Sequence, residues 1–363
     1  MPQPSPFASI LLIGPVTALA AASLSVLIAG CTGASPLGEA HSSPDQAPLQ
    51  RTLTLGAYAT PRDAYDKEII PAFLAYWKDK TGQEVVVETS YQGSGGQSRA
   101  IVGGFEADIA ALSLEPDIQR IVHAGLITHD WKDDAWGGMV TASIAVPAVR
   151  PGNPKGIQDW GDLTRTDVDV VTPNPRTSGG AMWNIAALYG ASMRGYAEVP
   201  RDDELSTLTF ISQVLARVRI MDKGARESVL TFEQGVGDVA ITYENEVLTA
   251  KLIGKQYDYV VPRSTILIVN PIAVVDANVD AHGNRDVAEA FVDFVRTPEV
   301  QRMYAKYGYR PIVGEVGQEL TERFVTPEDL FTIEDLGGWP RVTTHLFDPD
   351  GVFDRAMESA RRR

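Results

Sequence analysis

From Arg51 onward, short apolar and β-branched runs alternate with stretches of helical periodicity, and this alternation restricts the fold more than any other feature. Strands are expected at residues 53–55, 84–88, 107–112, 167–171, 239–243 and 257–261. The run Val85-Val86-Val87 reads as a buried strand. Helices are expected at 180–193, 205–218 and 287–295. Tyr65, Ile69, Phe73 and Trp77 recur every fourth residue on one helical face, with Gly82 as the stop. Alternating β and α segments favour parallel pairing, because the crossover helix returns the chain to the same edge. The expected fold class is α/β, with mixed sheets flanked by helices. Two strand-like runs, 139–148 and 265–275, are longer than the rest. Two long crossings far apart in the chain predict two lobes joined by a double hinge. The first lobe takes 51–140 and 270–363; the second takes 141–269. Ligands of such sheets bind outside the carboxyl ends of the strands, here in the cleft between lobes.

Ahead of this pattern, residues 7–28 are almost wholly apolar or small and end in Leu27-Ile28-Ala29-Gly30-Cys31. Small residues before a cysteine at the end of an apolar segment resemble a bacterial lipoprotein processing site. On that reading residues 1–30 are a signal peptide, Cys31 carries the lipid, and 31–50, rich in Ser, Pro, Ala and Gly, form a tether. A buried core cysteine and a simple membrane-spanning anchor are the alternatives, since about 20 apolar residues can cross a bilayer. The first basic side chain is Arg51, whereas secretory segments usually open with Lys or Arg. The lipoprotein and anchor readings both put the folded part outside the cytoplasm: in the periplasm, or on the outer face of the cytoplasmic membrane.

The chain of 363 residues is 44% hydrophobic, which fits about two domains of ordinary size. Its net charge of -15 argues against nucleic acid as a partner, and the only basic cluster is Arg361-Arg362-Arg363. An anionic ligand would gain nothing from the overall field and must be held by local donors. One cysteine allows neither an intramolecular disulfide nor a Cys-based zinc site. His41, His123, His129, His282 and His345 lack metal-ligand spacing. No metal and no cofactor are expected.

Three strand-to-helix junctions carry the chemistry: Gln92-Gly93-Ser94-Gly95-Gly96-Gln97, the run from Thr172 through Pro175 to Ser178-Gly179-Gly180-Ala181, and Gly224-Ala225-Arg226-Glu227-Ser228. A helix start leaves N–H groups unpaired and carries partial positive charge. Glycine lets the backbone approach an anion closely. Together they make an anion site from neutral donors. Singly, each is more often just an N-cap and a tight turn, so the case rests on several together. Enzyme signatures fail. The nucleophile elbow lacks its outer glycine, no P-loop follows a strand, and Ser98 stands where the dinucleotide pattern needs its third glycine. No histidine is placed by sequence as a partner for Ser94 or Ser178, and no enzymatic activity is expected. Trp183, one turn into its helix, reads as packing. Tyr243 ends a strand and opens a helix; its hydroxyl can face the cleft, and core packing fits the pattern equally well.

With these residues assembled, the chain resembles the periplasmic sulfate-binding proteins of sulfate/thiosulfate ABC importers, from about Leu53 to Asp354. The motifs that carry the likeness are Ser90-Tyr91-Gln92-Gly93-Ser94-Gly95-Gly96-Gln97, Thr172-Pro173-Asn174-Pro175 with Ser178-Gly179-Gly180-Ala181, Gly224-Ala225-Arg226, Glu244-Asn245-Glu246, Tyr309-Arg310-Pro311 and Gly337-Gly338-Trp339. The resemblance implies a two-lobed type II binding fold closing over one dehydrated sulfate. It implies donors from Ser94 and Ser178 and from the backbone N–H groups of Gly179, Gly180, Ala225 and Ala59. Tyr243 stands where the family has a Trp, and Tyr58-Ala59-Thr60-Pro61-Arg62 departs from the family's Asp-Pro after the first strand, with Arg62 retained to order that loop. A donor-only cleft suits sulfate, which only accepts, and disfavours hydrogen phosphate, whose proton would go unsatisfied at roughly 1–3 kcal/mol. The partners implied are sulfate and the transmembrane permease subunits of an importer, with a lipid anchor to the membrane and a monomeric chain. Thiosulfate, molybdate or tungstate as ligand, an anion-sensing lipoprotein, and a serine hydrolase remain the alternatives.

Overall fold

The computed structural model describes residues 51–362. The expected signal peptide, Cys31 and the expected tether lie outside the described residues. Ten strands form one hydrogen-bonded sheet: β1 (Arg51–Tyr58), β2 (Val85–Gln92), β3 (Ile109–Ala111), β4 (Met139–Val149), β5 (Val170–Pro173), β6 (Val218–Asp222), β7 (Val239–Tyr243), β8 (Asp258–Tyr259), β9 (Ser264–Val274) and β10 (Asp329–Phe331). The order is β2-β1-β3-β9-β4-β7-β5-β6, with β10 on β9 and β8 on β4. One group, β2-β1-β3, is parallel throughout, and so is the other, β7-β5-β6. Between them run the two long strands, antiparallel to each other. Each changes partner along its length. β4 pairs with β9 from Met139 to Ile144 and with β7 from Ala145 to Val149. β9 pairs in turn with β10, β4 and β3.

Side-chain alternation puts each group between two apolar layers. Val170, Val239 and Ile241 face a core built on Trp160, Trp183 and Ile211, while Val171 and Ala240 face one with Phe232 and Val247. Leu53, Leu55 and Ala57 face Phe73 and Phe291; on the other side Ala110 and Leu112 meet Ile118 and Ile121. Tyr65, Ile69, Phe73 and Trp77 are all buried on the helical run that ends at Thr81. Gly82 stops it in the left-handed region, at φ 73°, its N–H donating to the Lys78 carbonyl at 2.8 Å.

The expected strands are all present, with shifted ends. β3 is three residues and β8 two, both shorter than expected, and β1 is longer. The helix expected to reach 218 is Glu204–Ala216, and its last expected residue, Val218, opens β6 instead. Trp339, Val342, Leu346, Phe347, Val352 and Phe353, near the C-terminus, pack in the core of Trp160, Trp183 and Ile211. Trp339 meets Trp183 edge-on at 4.7 Å between ring centroids.

Candidate anion-binding site

Six helical segments start within six residues of the ends of β1, β2, β3, β5, β6 and β7, and their loops converge. The residues at or just beyond the carboxyl ends of β1, β2, β3, β5, β6 and β7 line one small cavity. Tyr58, Ala59 and Thr60 come from the first loop, Gln92, Gly93 and Ser94 from the second, and Ser113 from the third. Ser178, Gly180, Gly224 to Glu227, and Tyr243 complete the lining. Every sequence-predicted site residue in the described part lines the cavity except Gly179.

Three helix starts meet here without side-chain competition for most of their N–H groups. Gly93 has no side chain with which to cap Ser94–Val102, and Gly224 none for Ala225–Glu233. Ser178 does cap Gly179–Met193, but only by accepting from the Ala181 N–H at 3.4 Å, which leaves its own hydroxyl proton available. The glycines are needed for contact. A Cβ at Gly180 would lie 2.9 Å from the Ala225 Cβ, and one at Gly179 would lie 2.7 Å from Ser113 Oγ. Thr177 Oγ1 donates to the Lys223 carbonyl at 2.7 Å, tying the second junction to the third. A Cβ at Gly93 would be 3.1 Å from the Thr177 carbonyl, so the first junction closes on the second.

Ser94 differs from Ser178. Its hydroxyl donates to Asp117 Oδ2 at 2.6 Å and accepts from the Ser113 N–H at 2.9 Å. Asp117 is held in turn by Arg120 at 2.6 Å. The proton of Ser94 Oγ is therefore committed, and what this residue turns to the cavity is its backbone N–H at the helix start. Tyr243 is buried, and its hydroxyl lies 3.0 Å from Ser113 Oγ. Burial raises its phenol well above the ordinary value, so it stays protonated and can donate. The Ala59 carbonyl accepts from the Arg62 N–H at 3.3 Å. The Arg62 side chain reaches Asp66 at 3.3 Å and stacks over Tyr91, which braces the loop.

Sequence reasoning missed Ser113. Besides its contacts to Ser94 and Tyr243, its carbonyl accepts from Trp183 Nε1 at 2.9 Å and from Asn270 Nδ2 at 3.1 Å. A serine one residue beyond an expected strand was the available signal. Asn270, in β9, also accepts from Tyr58 at 3.0 Å and Thr141 at 3.1 Å, and so links three strands beneath the cavity. Arg226 is the only cation in the lining, and it pairs with buried Glu246 at 2.9 Å. Burial raises the Glu246 carboxyl and Arg226 opposes that rise. Glu227 was also missed, and it puts a carboxylate where the sequence predicts donors alone.

No histidine lines the cavity, and among the described residues no three His, Cys, Asp or Glu converge as a metal centre. A small pocket rich in N–H and O–H donors can hold a compact anion by hydrogen bonds and helix dipoles.

An α/β frame with its pocket at the strand ends, formed from loops far apart in sequence, defines a binding protein for a small solute. The chain matches the family described as bacterial extracellular solute-binding protein over residues 53–310, and it belongs to that family. It is 42% identical to the sulfate-binding protein of Synechococcus elongatus over 348 residues, 95% of this chain and 96% of that protein. The thiosulfate-binding protein of Escherichia coli is 35% identical over 301 residues, 80% of this chain and 87% of that one. The solved structure of the sulfate-binding protein SubI from Mycobacterium tuberculosis H37Rv matches with a TM-score of 0.75 and 38% identity, covering 82% of this chain and 100% of that chain.

Proposed function

We propose that this protein is an extracytoplasmic receptor that binds sulfate and delivers it to the permease of an ABC importer. The observation that carries the reading is the convergence of three helix starts, at Ser94, Gly179 and Ala225, on one small cavity whose only cation is already paired. The donors would be the backbone N–H groups of Ala59, Ser94, Gly179, Gly180 and Ala225 with the hydroxyls of Ser178 and Tyr243. Fixed dipoles hold a dianion without the cost of desolvating a free counter-ion. Hydrogen phosphate is disfavoured as long as Glu227 keeps its carboxylate turned toward Gly224 and away from the ligand's proton. Stronger identity to a sulfate-binding than to a thiosulfate-binding relative supports sulfate as the preferred ligand.

The receptor would be two-lobed and monomeric, closing about β4 and β9, where the pairing changes hands. The core packing of Trp339 to Phe353 supports assigning the C-terminal residues to the second lobe rather than the first. Lipidation at Cys31 would hold the protein by a tether outside the cytoplasm; an intact mass lacking residues 1–30 and carrying acyl chains tests this. Catalysis is not part of the reading: Ser94 is spent on Asp117 and Ser178 has no base beside it.

Calorimetric titration of the anion-stripped full chain with sulfate, thiosulfate, molybdate and phosphate tests the function. One-to-one binding of sulfate, tighter than the other three, is expected. Silence toward sulfate with binding of another oxyanion would overturn the ligand and keep the receptor.

A further inference from the structure

We propose that Glu227 sets the affinity of the cavity by placing its carboxylate beside the start of helix Ala225–Glu233, where its charge opposes an incoming dianion. The inference rests on the sulfate reading and deepens it. Glu227 is the only acidic residue in the lining. It is the third residue of its helix, a position from which a carboxylate folds back over the N-cap. Here it does so: a Cβ at Gly224 would overlap the Glu227 carboxylate, so Gly224 makes the room it occupies. Arg226, the neighbouring cation, is turned to Glu246, and Glu227 makes no ion pair among the described residues. The cavity therefore holds one uncompensated negative charge beside the N–H groups that a dianion would use. Those N–H groups and the dipole behind them favour whichever anion is present. No side chain caps this helix start, so Glu227 acts through its charge, which opposes the ligand at short range.

The test is sulfate titration of the full chain and of Glu227→Gln and Glu227→Ala, with thermal melts to show that each variant is folded. Removing the charge should tighten sulfate binding by roughly three- to thirtyfold in both variants, the range of a charge at a helix start converted to affinity. Binding by the variants alone, with the parent silent, would support the inference still more strongly. Equal affinity in parent and variants would overturn the role of Glu227 and leave the sulfate reading standing. Weaker binding in both variants would also overturn it, making the carboxylate a support of the site. Silence of all three toward sulfate would overturn both readings together.

Discussion

The first and second junctions look alike in sequence, each a serine followed by two glycines at a helix start, yet they are used differently. At the second, Ser178 is the N-cap and its proton is free, while Arg176 anchors the loop to the Phe347 carbonyl and to Asp354. At the first, Ser94 is already inside the helix and its hydroxyl is bound between Asp117 and the Ser113 N–H. One serine is a donor in waiting; the other is a buried strut that leaves only its backbone to the cavity. A shift of one position relative to the helix start moves the hydroxyl from an open N-cap to the scaffold.

The largest effect should come from the second junction's wall. Gly180→Ala would bring two methyl carbons to 2.9 Å, well inside the 3.5–4.0 Å of a normal carbon contact, and push the helix starts apart. Sulfate affinity should fall more than about tenfold by calorimetry; an unchanged value would remove the anion from between these helices. Next, Ser178→Ala should weaken sulfate binding by at least about 1 kcal/mol through loss of a charge-assisted bond. Ser94→Ala should show the opposite split. Asp117 loses a donor and the Ser113 N–H its acceptor, so thermal unfolding should register a loss of about 1–3 kcal/mol, with less change in affinity than Ser178→Ala. A greater affinity loss at 94 than at 178 would break the comparison.

The smallest effect lies at the amino end of β3, the end opposite the cavity. His282 Nδ1 sits 2.7 Å from Asp108, a fully buried carboxylate, and that hydrogen bond raises the imidazole above its usual value against a smaller opposing effect of burial. Because the folded value is raised, the stabilisation is fully present below the unfolded value of about 6.5 and is lost as pH rises through the folded one. A melt series across that range should slope down with pH in the parent and less so in His282→Gln. Equal slopes would assign the pH dependence elsewhere.

Much of the frame was legible because its signals are local. The fourfold repeat from Tyr65 to Trp77, Gly82 as its stop and the two long strands all depend on neighbours in sequence. β6 was not legible: Val218-Arg219-Ile220-Met221-Asp222 continues the preceding helical periodicity, and as the end strand of the path it pairs only with β5. Its strand identity comes from a partner some fifty residues away (Val170 to Val218). β10 pairs with β9 across a similar gap. The junction residues were legible as helix starts, and their convergence followed from the expected parallel strands. Which hydroxyl was free was not, because Asp117 reaches Ser94 only through folding. Glu227 stands within the third junction's motif, but its carboxylate gains meaning only beside the cavity.

Trp183 sits with its indole N–H on the Ser113 carbonyl, at the cavity wall, and its ring against Trp339 in the C-terminal segment. Two indoles at that spacing and a crossing of 77° form an optically coupled pair. The near-ultraviolet dichroism of the native protein thus carries a built-in label spanning the binding wall and the chain's return. Any rearrangement of Ser113 or undocking of the C-terminal segment will change its sign or strength, with no dye attached.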